Sequence, residues 1–236
     1  MNVAVFRPAD ERLDRAVDLL EALGATPVPD PMLEVAPTGD APRSDGDFAI
    51  LTSKTGVELA DDAGWTPGDA ALCAIGDATA SACRDAGWTV ARVPDEYTSA
   101  GLVAELDGDV EGARVEVARS DHGSAVLTDG LNDAGAYVHE TILYELTTPE
   151  GAGDSAELAA DGDLDAALFT SSLTVEHWLD AASDRGIRED ALAGLNDATV
   201  GCIGPPTRET AEAAGVDVDV VPDDADFEQL ARAVLD

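Results

Sequence analysis

The chain has 236 residues, with 49 acidic against 13 basic side chains, a formal net charge of −36 and 45% hydrophobic residues. That length suits two small domains, each able to bury a core without metal or disulfide staples, and the charge excludes nucleic acid as a partner. The apolar residues recur with clear periods, which excludes an acidic disordered tract, and no segment approaches the roughly 18 apolar residues of a bilayer span.

Twelve of the basic residues are arginine and only Lys54 is lysine, while the carboxylates spread along the whole chain. Such a pattern fits a folded protein in concentrated salt, where the screening length falls to about 3 Å and self-repulsion is damped. Cys73, Cys83 and Cys202 form no close pair and no metal-like spacing, so buried, unpaired thiols in a reducing compartment are expected. The opening NVAVF runs directly into Arg7-Pro8 and does not read as a signal sequence; a soluble, cytoplasmic protein is expected.

In chain order, residues 2 to 6 read as a buried strand. Leu13, Ala16, Val17, Leu20 and Leu23 then share one helical face, and Gly24 ends the helix. Further strands are expected near 47 to 51, 70 to 75, 89 to 93, 113 to 118, 164 to 169, 198 to 203 and 217 to 221, with helices filling most of the gaps. Alternation of this kind is the mark of α/β architecture, a parallel sheet covered by helices.

The chain also repeats itself. Residues 69 to 106 match residues 197 to 234 without a gap, with Ile75-Gly76, Thr79, Gly87, Val93-Pro94-Asp95 and Leu102 recurring as Ile203-Gly204, Thr207, Gly215, Val221-Pro222-Asp223 and Leu230. Upstream, AILTSKTGV at 49 to 57 parallels ALFTSSLTV at 167 to 175, and Val3, Val5 and Arg7 parallel Val115, Val117 and Arg119. A tandem duplication follows. Two apolar stretches, MLEVAP at 32 to 37 and ILYELTTP at 142 to 149, hold equivalent places and read as extended connectors.

Ligands of open parallel sheets bind beyond the carboxyl ends of the strands. The residues there are Arg7; Thr52, Ser53 and Lys54; Gly76 to Thr79; Arg119 to Gly123; Thr170 to Ser172; and Gly204 to Arg208. In a chain so poor in positive charge, Arg7, Lys54, Arg119 and Arg208 at strand ends point to an anionic ligand in a cleft between the repeats. Pairing with nearby carboxylates is the competing account of each, and helix capping is the competing account of the Thr-Ser pairs. No dinucleotide, P-loop or nucleophile-elbow motif is present, and His122, His139 and His177 lack metal spacing, so binding-dominated catalysis is indicated.

The paired strand-Thr-Ser segments, IGDAT at 75 to 79 and IGPPT at 203 to 207, the Val-Pro-Asp closures and the ILYELT connector together resemble the uroporphyrinogen-III synthase family over nearly the whole chain. The resemblance implies two flavodoxin-like parallel-sheet domains joined by a two-stranded linker ladder. One domain would be residues 1 to 33 with 147 to 236, the other 38 to 142, and the linker strands 34 to 37 and 143 to 146. It implies cyclisation of hydroxymethylbilane to uroporphyrinogen III for heme and related tetrapyrroles, with loss of water, inversion of the terminal pyrrole and a spirocyclic intermediate, and without metal or coenzyme.

Tyr144 falls where the family carries its linker tyrosine and is the candidate for assisting departure of the hydroxyl, with domain packing as its alternative role. Thr79 and Thr207 match the family's repeated threonines. Backbone N–H groups near Ser171, Ser172 and Gly204 to Thr207 would hold the eight substrate carboxylates, beside Arg7, Thr52, Ser53, Lys54, Arg119 and Arg208. Two departures stand out: Asp121 within SDHG, and Pro206 where some relatives have a hydroxyl. The expected partners are the small-molecule tetrapyrrole and, transiently, the preceding enzyme of the pathway, with the protein a monomer. A two-lobed binding protein for a small anion, or a non-catalytic relative, are the competing functions.

Overall fold

The computed structural model describes residues 1–235. In chain order these form β1 (Asn2–Val5), α1 (Glu11–Ala22), β2 (Thr26–Pro29), β3 (Glu34–Pro37), β4 (Phe48–Leu51), α2 (Lys54–Asp62), β5 (Ala71–Ala74), α3 (Asp77–Asp85), β6 (Val90–Arg92), α4 (Ser99–Leu106), β7 (Arg114–Ser120) and α5 (Ala125–Asp133). There follow β8 (Tyr137–Thr147), α6 (Asp154–Asp161), β9 (Ala166–Phe169), α7 (Ser172–Asp184), α8 (Arg188–Asp197), β10 (Thr199–Cys202), α9 (Pro205–Ala213) and α10 (Phe227–Leu235). They divide into two compact units, the first comprising Met1–Glu34 with the chain from Thr147 onward, the second Val35–Leu146.

The first unit holds a sheet in the order β10-β9-β1-β2, parallel throughout. Its central strands are buried on both faces, Val3, Ala4 and Val5 in β1 and Ala166 to Phe169 in β9, as a parallel sheet between helix layers requires. On one face Phe6 stacks on Phe169 with centroids 4.5 Å apart, and Trp178 of α7 meets Phe169 edge-on. On the other, Val3 and Val5 pack against Ala16 and Leu20 of α1 and Leu230 and Val234 of α10.

The second unit has the order β3-β8-β7-β4-β5-β6, and the run from β8 to β6 is parallel. Leu51, Val57, Trp65 and Trp88 cover one face and Val115, Val117, Leu102 and Leu127 the other.

Strand order gives each unit the same plan. In the second it runs β8-β7-β4-β5-β6, and in the first β2-β1-β9-β10, followed by a single bridge from Gly201 to Val220. Both are the 2-1-3-4-5 order of a flavodoxin-like sheet, whose switch point lies between strands one and three. Those points fall between β7 and β4 and between β1 and β9.

One expected strand is corrected. Residues 217 to 221 contribute only that bridge, because Asp219 Oδ2 accepts the Val200 N–H at 2.8 Å where a strand backbone would pair. Conversely, the apolar connector beginning at Ile142 is the second half of β8, which starts at Tyr137.

Candidate functional site

Beyond the switch point of the second unit lies a cavity of about 380 Å³. Thr52 and Ser53, leaving β4, form one wall; the turn from Arg119 to Ser124, leaving β7, forms another; Tyr144 of β8 and Tyr97, before α4, complete it.

Ser53 is extended (φ −154°, ψ 154°) and its Oγ accepts the Gly56 N–H at 2.9 Å, capping α2. A Cβ at Gly56 would stand 3.1 Å from that oxygen, a tight contact that the glycine avoids. Tyr144, only 7% exposed, places its hydroxyl 3.0 Å from Ser53 Oγ. A bulge makes this contact possible. Arg119 pairs with Ile142 but Ser120 with Tyr144, so Leu143 is the extra residue, and Leu143 and Tyr144 are buried in the same apolar cluster although adjacent in the strand.

The turn after β7 is tied to β8 around the tyrosine. The Asp121 N–H donates to the Tyr144 carbonyl at 3.2 Å, and Asp121 Oδ1 accepts the N–H groups of His122 and Leu146. The carboxylate that stands out in SDHG is thus bound to backbone donors. Arg119, 7% exposed, bonds Glu140 through Nη2 and the Ser124 carbonyl through Nη1, each at 2.6 Å. Its Nε is buried without a partner. Tyr97 lies over Gly76 at the start of α3 and donates to Asp77 Oδ2 at 2.5 Å; that carboxylate raises the tyrosine's pKa above its ordinary value.

In the first unit, Arg7 follows β1 at the switch point. It is half-buried with its guanidinium carbon 4.4 Å from the Phe227 ring centroid, and it lines a cavity of about 500 Å³ with Arg12 and Arg15. Burial, and then the Arg12 charge, press its pKa below the usual arginine value. Arg12 is itself held by Asp10 at 2.6 Å. Ser171 caps α7 through the Thr174 N–H. The Ser172 hydroxyl donates to the Pro206 carbonyl and accepts from Thr210.

Gly76 and Gly204 occupy the cap positions of α3 and α9 without a capping side chain. Thr79 and Thr207 are buried at the third position of those helices. Pro205 and Pro206 carry no N–H, so the first backbone donor of α9 is that of Thr207.

Of the residues expected from sequence, Thr52, Ser53, Arg119 and Tyr144 meet on one cavity. Lys54 points to another depression and pairs with Glu58 at 3.2 Å, and Arg208 pairs with Glu212 at 2.6 Å. Tyr97 was not anticipated; its only signal is the Tyr-Thr-Ser run in which Thr98 caps α4. Cys73, Cys83 and Cys202 are unpaired and buried, and burial pushes their thiols up to about 12, 11 and 12, so they stay protonated at neutral pH.

A cavity of about 400 Å³ at the opposite edge holds Arg43, Arg114, Glu116 and His139. It lies at the strand starts, where neighbouring helices end and present carbonyls instead of N–H groups.

The family model for uroporphyrinogen-III synthase HemD matches residues 14–232. A Methanothermobacter thermautotrophicus protein assigned to uroporphyrinogen-III synthase is 34% identical over 230 residues, covering 91% of this chain and 90% of that one. Uroporphyrinogen-III synthases of Thermus thermophilus and Helicobacter pylori share the fold, at TM-scores of 0.64 and 0.59 and identities of 20% and 15%; each match covers 99% of this chain, and 96% and 97% of the respective structure.

Proposed function

The chain belongs to the uroporphyrinogen-III synthase family, and on that premise we propose that it cyclises hydroxymethylbilane to uroporphyrinogen III, with loss of water and inversion of the terminal pyrrole. The observation that carries this reading is the buried Tyr144 hydroxyl on the wall of a switch-point cavity.

Tyr144 gives its proton to the departing hydroxyl as the carbon–oxygen bond breaks, and water leaves. The carbon left electron-poor is attacked by the substituted position of the terminal pyrrole, giving the spirocyclic intermediate. Rearrangement inverts that ring, and the proton it finally releases restores the phenol. Uncatalysed closure yields the uninverted isomer, so the main task is to hold the linear chain in the inverting geometry.

In this reading Thr52, Ser53 and Arg119 shape the wall around Tyr144. Backbone and hydroxyl donors at Ser171, Ser172, Gly204 and Thr207 receive carboxylates, Thr79 lines the corresponding helix start, and Arg7 with its neighbouring arginines supplies positive charge. Lys54 and Arg208, each in its own unit, are exchangeable cations, each now held by a glutamate one helical turn away. Residues 34 to 37 and 143 to 146 act as linker strands between domains formed by 1 to 33 with 147 to 236 and by 38 to 142. Among the described residues no helix is long and apolar enough to cross a membrane, and we assign the protein to a salty cytoplasm as a monomer.

The test is to supply hydroxymethylbilane in molar KCl, oxidise the product and separate the porphyrin isomers. Uroporphyrin III is expected to dominate. Formation of uroporphyrin I alone, at the uncatalysed rate, would sink the reading.

A further inference from the structure

We infer that Ser53 is the positioning residue of Tyr144: held by the first turn of α2, its hydroxyl aims the phenol proton into the cavity and stabilises the oxygen as that proton leaves. This rests on Tyr144 acting as the acid in the proposed reaction.

The argument is one of proton accounting. Ser53 Oγ accepts the Gly56 N–H at 2.9 Å, which commits one lone pair and fixes the oxygen. Its own proton needs an acceptor in a partly buried place, and the Tyr144 oxygen lies 3.0 Å away. When Ser53 donates to that oxygen, the phenol proton is free to point elsewhere, and the open side is the cavity that both residues line. The chain of donors then runs from the helix N-terminus through serine to tyrosine. As negative charge develops on the tyrosine oxygen, both the serine hydroxyl and the positive end of α2 stabilise it.

Capping alone does not explain the arrangement. The duplicated Ser171 caps α7 in the same way, through the Thr174 N–H at 3.3 Å, and its second neighbour is only the Thr174 hydroxyl at 3.5 Å. Only the copy beside the β8 bulge faces a phenol. The bulge sets Tyr144 opposite Ser120 beside Ser53, and the lack of a Cβ on Gly56 leaves the serine oxygen uncrowded.

The experiment is a double-mutant cycle on the full chain in molar KCl, reading kcat and KM for type III product. The variants are Ser53→Gly, which keeps a tolerated N-cap residue, Ser53→Thr, Tyr144→Phe and the Gly/Phe double variant. Ser53→Gly should lower kcat about 3- to 10-fold, the effect of losing one ordinary hydrogen bond, with KM within about twofold. Ser53→Thr should restore most of the loss. In the Tyr144→Phe background, Ser53→Gly should change kcat by less than about 1.5-fold, because its route of action is gone.

An equal loss in both backgrounds, a loss confined to KM, or no loss from Ser53→Gly overturns the inference and leaves the family activity standing. Wild-type chain that forms no type III product overturns the proposed reaction and this role together.

Discussion

Gly123 is glycine because Arg119 fills the space beside it. A Cβ at that position would lie 2.3 Å from Arg119 Cδ and 2.6 Å from its Nε, so the turn after β7 folds flat over a buried guanidinium. Gly123→Ala must push the arginine off Glu140 or lift the turn, and should cost about 1–3 kcal/mol, measured as a lower urea midpoint with unchanged m-value. The role of Arg119 was only half legible. Its place at a strand end marked it as a candidate, but Glu140, its partner on the next strand, is set by register, which periodicity does not give. For Ser53 the expected helix cap is seen, and the role proposed for it beside Tyr144 would use the same oxygen.

At the level of elements, β2 is not among the expected strands, because the two prolines of Thr-Pro-Val-Pro argue against a strand. It is an edge strand whose Thr26 N–H donates to the Met1 carbonyl, just before β1, while the N–H of Asp30, just after β2, donates to the Val5 carbonyl. Pro27 and Pro29 alternate with them and occupy the outward positions, where no donor is needed. The strand delivers Asp30, whose buried carboxylate accepts the N–H groups of Gly153 and Ser155 and the Ser155 hydroxyl, capping α6 from 123 residues away. The Trp178 indole in turn donates to Ser155. Asp30→Ala strands those donors and should cost about 2–4 kcal/mol, with Asp30→Asn losing less; equal melting temperatures for wild type and Asp30→Ala would refute the capping role. Most other strands were legible within two residues at either end, since runs buried on both faces are apolar throughout. The β8 bulge was not, because nothing local distinguishes the extra residue from its neighbours.

For the molecule as a whole, charge is the dominant global property. With 49 carboxylates and 13 bases, most acidic groups have no cation to meet, and repulsion opposes compaction in dilute buffer. The melting temperature is therefore expected to rise from dilute to molar KCl; a flat response would remove the salt-adapted reading. The duplication was legible as matched motifs, and it accounts for the common strand order of the two units. Which segments share a unit is not given by periodicity, because β1 pairs with β9 across more than 160 residues.

That long-range pairing also bears on biosynthesis. As the chain leaves the ribosome, β1, α1 and β2 emerge before β9, the strand on which β1 docks. Every strand of the 35–146 unit emerges before β9 does. The inserted unit thus has all of its strands to hand before β9 exists, whereas β1 completes its pairing only once β9 has followed. Until Ala166 to Phe169 appear, Val3 and Val5 lack their β9 partners and Phe6 lacks the ring it stacks on, and Arg7, Asp10 and the acidic residues of α1 are the nearest charges that can keep such a nascent segment from sticking to its neighbours.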